Sequence, residues 1–257
     1  LLITGIIGYP LKITLSPAMH NAAFKALGLD GVYLPFPVKE EKLKEAVYGL
    51  SALGFRGFNV TIPYKKKIME YLDEISIEAT SIDAVNTVLI EENKLKGFNT
   101  DIYGFDESLN KYGINIKNKK IMLIGAGGVA YACSYIINKR SPSRFIITDI
   151  IKEKAEILAQ IYQTEIISSK DLEKLTPESD IILNATPVDL QNKILPLMKK
   201  DSIYYDINYK FKAKKKKGVK VVNGILMLIL QGARAFTIWT GKKAPIEVMK
   251  KAIGFDI

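Results

Sequence analysis

The chain is poor in the side chains that disulfide, metal and nucleic-acid chemistry depend on. It carries one cysteine and one histidine in 257 residues. A lone Cys133 excludes an internal disulfide and fits a reducing compartment. It falls in an expected helix, where it reads as buried packing. His20, Cys133 and scattered acids give no metal-ligand spacing, so no metal is expected. Only four arginines (Arg56, Arg140, Arg144, Arg234) stand among the 37 basic residues. The net charge of +10 is therefore almost all lysine, whereas readers of nucleic acid favour the bidentate guanidinium. The densest run, Lys212-Ala213-Lys214-Lys215-Lys216-Lys217, has no interleaved aromatics and reads as a solvated loop before a strand. No nucleic-acid partner is expected, and the positive field would draw small anions. No apolar run is long enough to span a bilayer. The best one, residues 225–230, is followed at once by Gln231 and Gly232. The opening residues lack a basic region and a small-residue cleavage site, so they read as a strand and not as a signal peptide. A cytoplasmic protein without membrane partners is expected.

What is present is a regular alternation of short apolar runs and helical patterns. Hydrophobic residues make up 48% of the chain, enough for one large domain or two ordinary ones. The first hundred residues predict strands at 2–8, 32–37 and 57–61, and helices at 16–27, 41–53 and 64–72. A strand pair at 85–91 and 94–99 turns at Glu92-Asn93, and a helix follows at 102–112. From Lys119 the period is cleaner. Strands at 120–124, 144–148, 181–184, 202–206 and 219–222 are interleaved with helices at 128–139 and 152–161, with a short stretch at 164–167. That is the pattern of an open parallel sheet covered on both faces. Helices at 225–239 and 245–254 close the chain. The expected fold is α/β, an N-terminal α/β substrate domain plus a Rossmann-type doubly wound nucleotide domain. The expected boundaries are 1–101 with 224–257, and 102–223.

The strongest single motif is Ile121-Met122-Leu123-Ile124-Gly125-Ala126-Gly127-Gly128-Val129-Ala130. An apolar strand runs into a glycine turn that opens a helix. Gly125 permits the turn, and Gly127 lets backbone approach a pyrophosphate at a helix N-terminus. Ala130 is small enough for close helix–strand packing. The next strand ends in Asp149, followed by Ile150. A carboxylate there can accept hydrogen bonds from both ribose hydroxyls of NAD and would repel the extra phosphate of NADP. NAD is therefore the expected cofactor, with NADP less favoured.

Polar clusters in the first hundred residues sit at strand ends and helix starts. Thr14 and Ser16 read either as a carboxylate cradle or as a plain N-cap by Ser16, with Pro17 in the first turn. Asn59 and Thr61 precede a Pro-bounded turn that ends at Lys65, within a lysine run that otherwise reads as a solvated face. Asn86 follows a strand-like Ala84-Val85, and Asp101 stands where a helix N-cap would.

Their order resembles the shikimate dehydrogenase family. Gly8-Tyr9-Pro10 through Ser16-Pro17 and His20-Asn21 begins the match. Asn59-Val60-Thr61-Ile62-Pro63-Tyr64-Lys65, Ala84-Val85-Asn86-Thr87 and Gly97-Phe98-Asn99-Thr100-Asp101 continue it. The glycine turn, Asn184-Ala185-Thr186-Pro187 and the segment 224–241 complete it over essentially the whole chain. The resemblance implies a cleft between a substrate domain and a nucleotide domain. It also implies reversible reduction of 3-dehydroshikimate to shikimate, on the chorismate route to aromatic amino acids. By resemblance, Lys65 and Asp101 are catalytic, Thr14 and Ser16 bind the substrate carboxylate, and Asn59, Thr61, Asn86, Asp101 and Gln231 hold ring hydroxyls. Tyr209 lies near substrate and nicotinamide. Thr186, Met227 and the Gly224 backbone belong to the cofactor side. The lone His20 reads as packing or capping.

Several residues depart from the family pattern. Thr14 replaces a usual serine and tightens the carboxylate pocket, which keeps quinate as an alternative substrate. Asp83 replaces a glycine, Asp189-Leu190 a Gly-Met pair, and Phe211 a proline. Asp149-Ile150-Ile151 stands where NADP-using members place Asn-Arg-Thr, with Lys152 and Lys154 as partial compensation. A non-catalytic nucleotide-binding module is the alternative of a different class, and the joint presence of Lys65, Asp101 and Gln231 argues against it. The family includes both monomers and homodimers.

Overall fold

Ile6 and Ile7 are buried in β1 (Leu2–Gly8), a strand that lies inside a sheet and hence is apolar towards its end. In this computed structural model, which describes residues 1–11 and 14–255, the chain divides into two units. They are Leu1–Gly104 with Ile229–Ile257, and Phe105–Leu228. The divisions fall within helices and not in loops. Residues 256 and 257, the end of the expected substrate domain, lie outside the described residues.

The first unit continues with α1 (Ser16–Ala26), β2 (Gly31–Pro37), α2 (Leu43–Ala52) and β3 (Gly57–Val60). Then come β4 (Glu74–Ile75), α3 (Ile77–Ser81), β5 (Thr87–Glu91), β6 (Lys94–Phe98) and α4 (Thr100–Lys111). The strands form a six-stranded sheet in the order β2-β1-β3-β5-β6-β4. β1 runs parallel to β2 and β3, whereas β5 is antiparallel to β3 and β6. The β5–β6 hairpin turns through Glu92 and Asn93, both at positive φ (52° and 59°). Two such residues give the turn a twist that matches the strands. A core of Ile7, Val47, Phe58, Val60, Ile68 and Val88 lies against this sheet.

The helix expected at 64–72 is only a 3-10 segment, Lys67–Tyr71. The Lys65 carbonyl accepts the Val85 amide at 2.7 Å, and Met69 N bonds the Lys66 carbonyl at 3.1 Å in its place, which is 3-10 and not α-helical bonding. β4 and α3 were not expected at all, being too short to show a period.

The second unit contains β7 (Lys120–Ile124), α5 (Gly128–Lys139), β8 (Arg144–Thr148), α6 (Lys152–Tyr162), β9 (Glu165–Ile166) and α7 (Leu172–Leu175). It continues through β10 (Ile181–Asn184), α8 (Gln191–Ile194), β11 (Ser202–Asp206) and β12 (Val219–Asn223). Its sheet is parallel throughout, in the order β12-β11-β10-β7-β8-β9. This is the doubly wound nucleotide-binding arrangement, and its strand order reverses between β7 and β10. α9 (Ile225–Thr240) begins in this unit and ends in the first, where α10 (Ile246–Ala252) packs against α1.

The expected solvated lysine loop is partly structural. The Lys216 ammonium donates to the carbonyls of Leu195, Pro196 and Met198, and so ties the loop to the segment after α8. No described helix is long and apolar enough to cross a membrane. Among the described residues no cluster of His, Cys, Asp and Glu could hold a metal ion.

His20 shows how the first unit spends its one imidazole. The ring is fully buried, stacked on Tyr33 with centroids 4.3 Å apart, and tilted against Trp239 at 5.3 Å. Neither ring nitrogen has a hydrogen-bond partner among the described residues. Burial pushes its pKa down from 6.5 to about 3. The unfolded chain therefore takes up a proton that the folded chain refuses, and stability is lost as pH falls from 6.5 towards 3. The slope from this group approaches about 1.4 kcal/mol per pH unit within that window. Urea denaturation between pH 7 and 5 should show the slope, and His20→Phe should flatten it; an unchanged slope in the variant would assign it to other groups.

Candidate active site

The carboxyl ends of β1 and β3 and the start of α4 carry the polar residues singled out in the sequence. Lys65 ends the turn after β3. Its position is fixed by backbone bonds on both sides, from Thr61 N to Ile7 O at 3.0 Å and from Val85 N to Lys65 O at 2.7 Å. Asp101 lies in the first turn of α4. It is not the N-cap. Asn99 fills that role, its Oδ1 accepting the amides of Asp101 and Ile102 at 3.0 and 3.3 Å. The Asp101 carboxylate is thereby left to meet Lys65, with Nζ to Oδ2 at 2.6 Å. The two side chains are only 17% and 12% exposed. A surface lysine run would not bury its ammonium this way. Lys66, next in the run, pairs with Asp83 on the outside. Asp83 has a φ of 52°, which accounts for a glycine being usual there; aspartate tolerates this region better than most residues.

Ser16 is likewise released from capping. α1 begins at Ser16 itself, with Leu15 as N-cap and no side-chain cap bond. Thr14 Oγ1 accepts the Ser16 amide at 3.2 Å, which holds the two hydroxyl residues together. Thr61 stands half-buried in the turn between β3 and Lys65.

Between these groups runs a buried row of amides and hydroxyls. Asn86 Oδ1 accepts the Thr100 amide at 2.7 Å and the Thr87 hydroxyl at 3.0 Å. That fixes the flip of the amide, and its nitrogen has no protein partner among the described residues. Asn59 is set the opposite way. Its Nδ2 donates to Asn86 O at 3.1 Å and Thr87 Oγ1 at 3.0 Å, so both protons are used. Its Oδ1 accepts the Tyr33 hydroxyl at 2.8 Å. Asn86 can thus meet a ligand as a donor and Asn59 only as an acceptor. Thr100 Oγ1 reaches Gln231 Oε1 on α9 at 3.3 Å and joins that residue to the row. Thr14, Ser16, Asn59, Lys65, Asn86, Asp101 and Gln231 are gathered in one unit in this way. Tyr33, Thr87, Asn99 and Thr100 hold them. Tyr33 escaped the sequence reading, although it is the one buried position in the otherwise half-open strand β2.

In the second unit the glycine turn sits at the reversal of strand order. Gly125 has a φ of 100°, and a Cβ there would stand 2.8 Å from the Thr186 side chain. Gly127 is different. Its φ is −81° and a Cβ would meet no atom within 4 Å. Neither backbone nor packing within the protein calls for glycine, whereas a phosphate group lying against the start of α5 does. α5 has no side-chain cap, so its first-turn amides suit an anion. Ala126 and Ala130 are buried, Gly128 is exposed and Val129 half-buried. A dinucleotide fits these residues. Thr186 is held by Asn184, whose Oδ1 accepts the Thr186 hydroxyl at 2.7 Å. Asn184 Nδ2 in turn donates to Asp206 Oδ2 at 3.3 Å. Burial, with Asp189 adding to it, raises the Asp206 carboxyl to about 6. Tyr209 is half-buried after β11, and burial pushes its phenol up. Gly224 must be glycine, since a Cβ would stand 1.9 Å from Ile207 O. Met227 is buried on α9.

Gly127→Ala separates packing from ligand contact. Its unfolding free energy should stay within about 1 kcal/mol of wild type, since the backbone is one alanine adopts. The Kd for a dinucleotide should rise at least about tenfold, or about 1.4 kcal/mol. Unchanged affinity by titration calorimetry would contradict the cradle.

Three family models match the chain: the shikimate dehydrogenase substrate binding domain over residues 6–88, shikimate/quinate 5-dehydrogenase over 107–200, and the shikimate 5'-dehydrogenase C-terminal domain over 224–253. A protein of Carboxydothermus hydrogenoformans named shikimate dehydrogenase (NADP(+)) is 43% identical, covering 99% of this chain and 97% of its own. The crystal structure of shikimate dehydrogenase from Aquifex aeolicus has a TM-score of 0.90 at 36% identity, with 98% and 97% covered. A shikimate dehydrogenase solved in complex with NADP+ has a TM-score of 0.89 at 39% identity, with 98% and 94% covered.

Two of these relatives overturn the expected preference for NAD, because one is named for NADP+ and another holds it. The structure supplies the physical reason why Asp149 misleads. Its Oδ2 accepts the Ala126 amide at 2.7 Å and its Oδ1 the Ile151 amide at 2.8 Å. The carboxylate braces the glycine turn against the end of β8, a role that accounts for an acid at this position whichever cofactor is used. Ile150 beside it is 90% exposed. From the matched models and the extent of identity, this chain belongs to the shikimate dehydrogenase family.

Proposed function

We propose that this chain catalyses the reversible reduction of 3-dehydroshikimate to shikimate with NADP(H), and that the Lys65–Asp101 pair carries the proton chemistry. The observation that supports it most is the short, largely buried ion pair at 2.6 Å, set among fixed amides. Nicotinamide supplies or accepts the hydride when bound. Reduction places negative charge on the ketone oxygen, and the Lys65 ammonium stabilises that charge and delivers the proton. Asp101 orients Lys65 and keeps a compensating charge beside it. Thr14 and Ser16 take the substrate carboxylate. Asn86 donates to one ring hydroxyl and Asn59 accepts from another, with Thr61 and Gln231 completing the ring contacts. Gly125, Ala126, Gly127, Gly128, Val129 and Ala130 cradle the pyrophosphate, with Thr186, Tyr209, Gly224 and Met227 on the nicotinamide side. Lys152 and Lys154, exposed in the first turn of α6 just after Asp149, receive the 2′-phosphate. The single reduced cysteine supports a cytoplasmic setting.

Lys65→Ala should lower kcat for shikimate oxidation by about 10²–10⁴-fold, with the substrate KM moved only a few-fold. Retention of kcat within tenfold would remove Lys65 from the chemistry. Quinate run alongside decides the substrate, since faster turnover of quinate would displace shikimate from the reading. The double change Lys152→Ala and Lys154→Ala should raise the KM for NADP by about tenfold, equal to about 1.4 kcal/mol, and leave that for NAD unmoved. Equal loss with both cofactors would show that these lysines do not read the phosphate.

A further inference from the structure

We infer that Tyr33 is a positioning residue for the substrate, because its buried phenol donates to the Asn59 amide oxygen on β3 and so fixes the end of that amide which faces a ligand. The inference rests on the role given above to Asn59. Tyr33 touches neither the substrate nor the cofactor in this account; it acts through Asn59.

Everything around Tyr33 fixes it except its hydroxyl. Its backbone is clamped by the Asn21 amide, which accepts from Tyr33 N at 2.8 Å and donates to Tyr33 O at 3.0 Å. Its ring is fully buried, stacked on His20 and 6.0 Å from Trp239. Trp239 is itself pinned by a bond from Nε1 to Val88 O at 2.9 Å. Phenylalanine would satisfy all of that packing. The hydroxyl is the sole polar group of the side chain, and burying it is unfavourable unless it is bonded. It donates to Asn59 Oδ1 at 2.8 Å. Burial also drives the phenol's pKa upwards, which keeps the hydroxyl a donor to Asn59.

The consequence for Asn59 is specific. Both of its amide protons are taken by Asn86 O and Thr87 Oγ1. Tyr33 occupies one lone pair of Oδ1, and the other is what Asn59 can offer a ring hydroxyl. Removing the phenol proton releases the oxygen end of the amide. Ground-state binding of the substrate should suffer while the proton-transfer pair, which Tyr33 does not touch, keeps working.

The test uses the full chain with shikimate and NADP. Tyr33→Phe should raise the shikimate KM about tenfold, keep kcat within about threefold and leave the NADP KM unchanged. A purely structural role would lower the melting temperature without selective loss of shikimate affinity, and an unchanged shikimate KM would overturn the inference. A second measurement isolates the Asn59 contact. In an Asn59→Ser background, which has no amide left to orient, Tyr33→Phe should change the shikimate KM by less than about twofold. A further rise of about tenfold there would overturn the inference as well. Absence of shikimate turnover by the wild-type chain would instead refute the proposed function, and the Tyr33 role with it.

Discussion

The first unit is organised around one ion pair between residues 36 positions apart. Lys65 and Asp101 meet at 2.6 Å in a largely buried setting. Taking two charges out of water costs several kcal/mol per ion, and their attraction seldom returns more than that. Such a pair is a poor device for stability alone. Its geometry is nonetheless fixed from both sides. The Lys65 backbone is stitched to Val85, and Asp101 is freed from capping by Asn99. The surrounding fold constrains where an ammonium and a carboxylate sit, which is what proton delivery to a developing alkoxide requires.

The amide row extends the same logic from charge to hydrogen-bond sense. Asn59 and Asn86 have identical side chains, yet their neighbours turn one to accept and the other to donate. A substrate with several hydroxyls can then be read by direction as well as by position. The residues that set those directions, among them Tyr33, Thr87 and Thr100, are buried and need not touch a ligand. Orientation held by packed groups is the usual difference between a site that is present and one that is accurate.

The second unit was the easier one to read in the sequence. Its strands are buried on both faces, so they appear as continuous apolar runs with helices between them. The β5–β6 hairpin was legible from Glu92-Asn93. Shorter elements such as β4 and α3 carry too few residues for a period. The α-helix expected at 64–72 is a 3-10 segment, in which a distant amide, that of Val85, meets the Lys65 carbonyl and Met69 N turns to Lys66 O. The motifs around Lys65 and Asp101 marked side chains that the fold brings together, but spacing does not show which residues cap the helices, and those places belong to Asn99 and Leu15. The cofactor was misread for a related reason. Asp149 has the residue type and position of a ribose ligand, but its oxygens are turned onto two backbone amides. Side-chain direction is set by tertiary context, and one-dimensional spacing does not record it.

The most direct measurement is the initial rate at the nicotinamide absorbance band, with shikimate and quinate each supplied against NADP and NAD. The account predicts the highest kcat/KM for shikimate with NADP. A higher value for any other pair, or no turnover of shikimate at all, would contradict it.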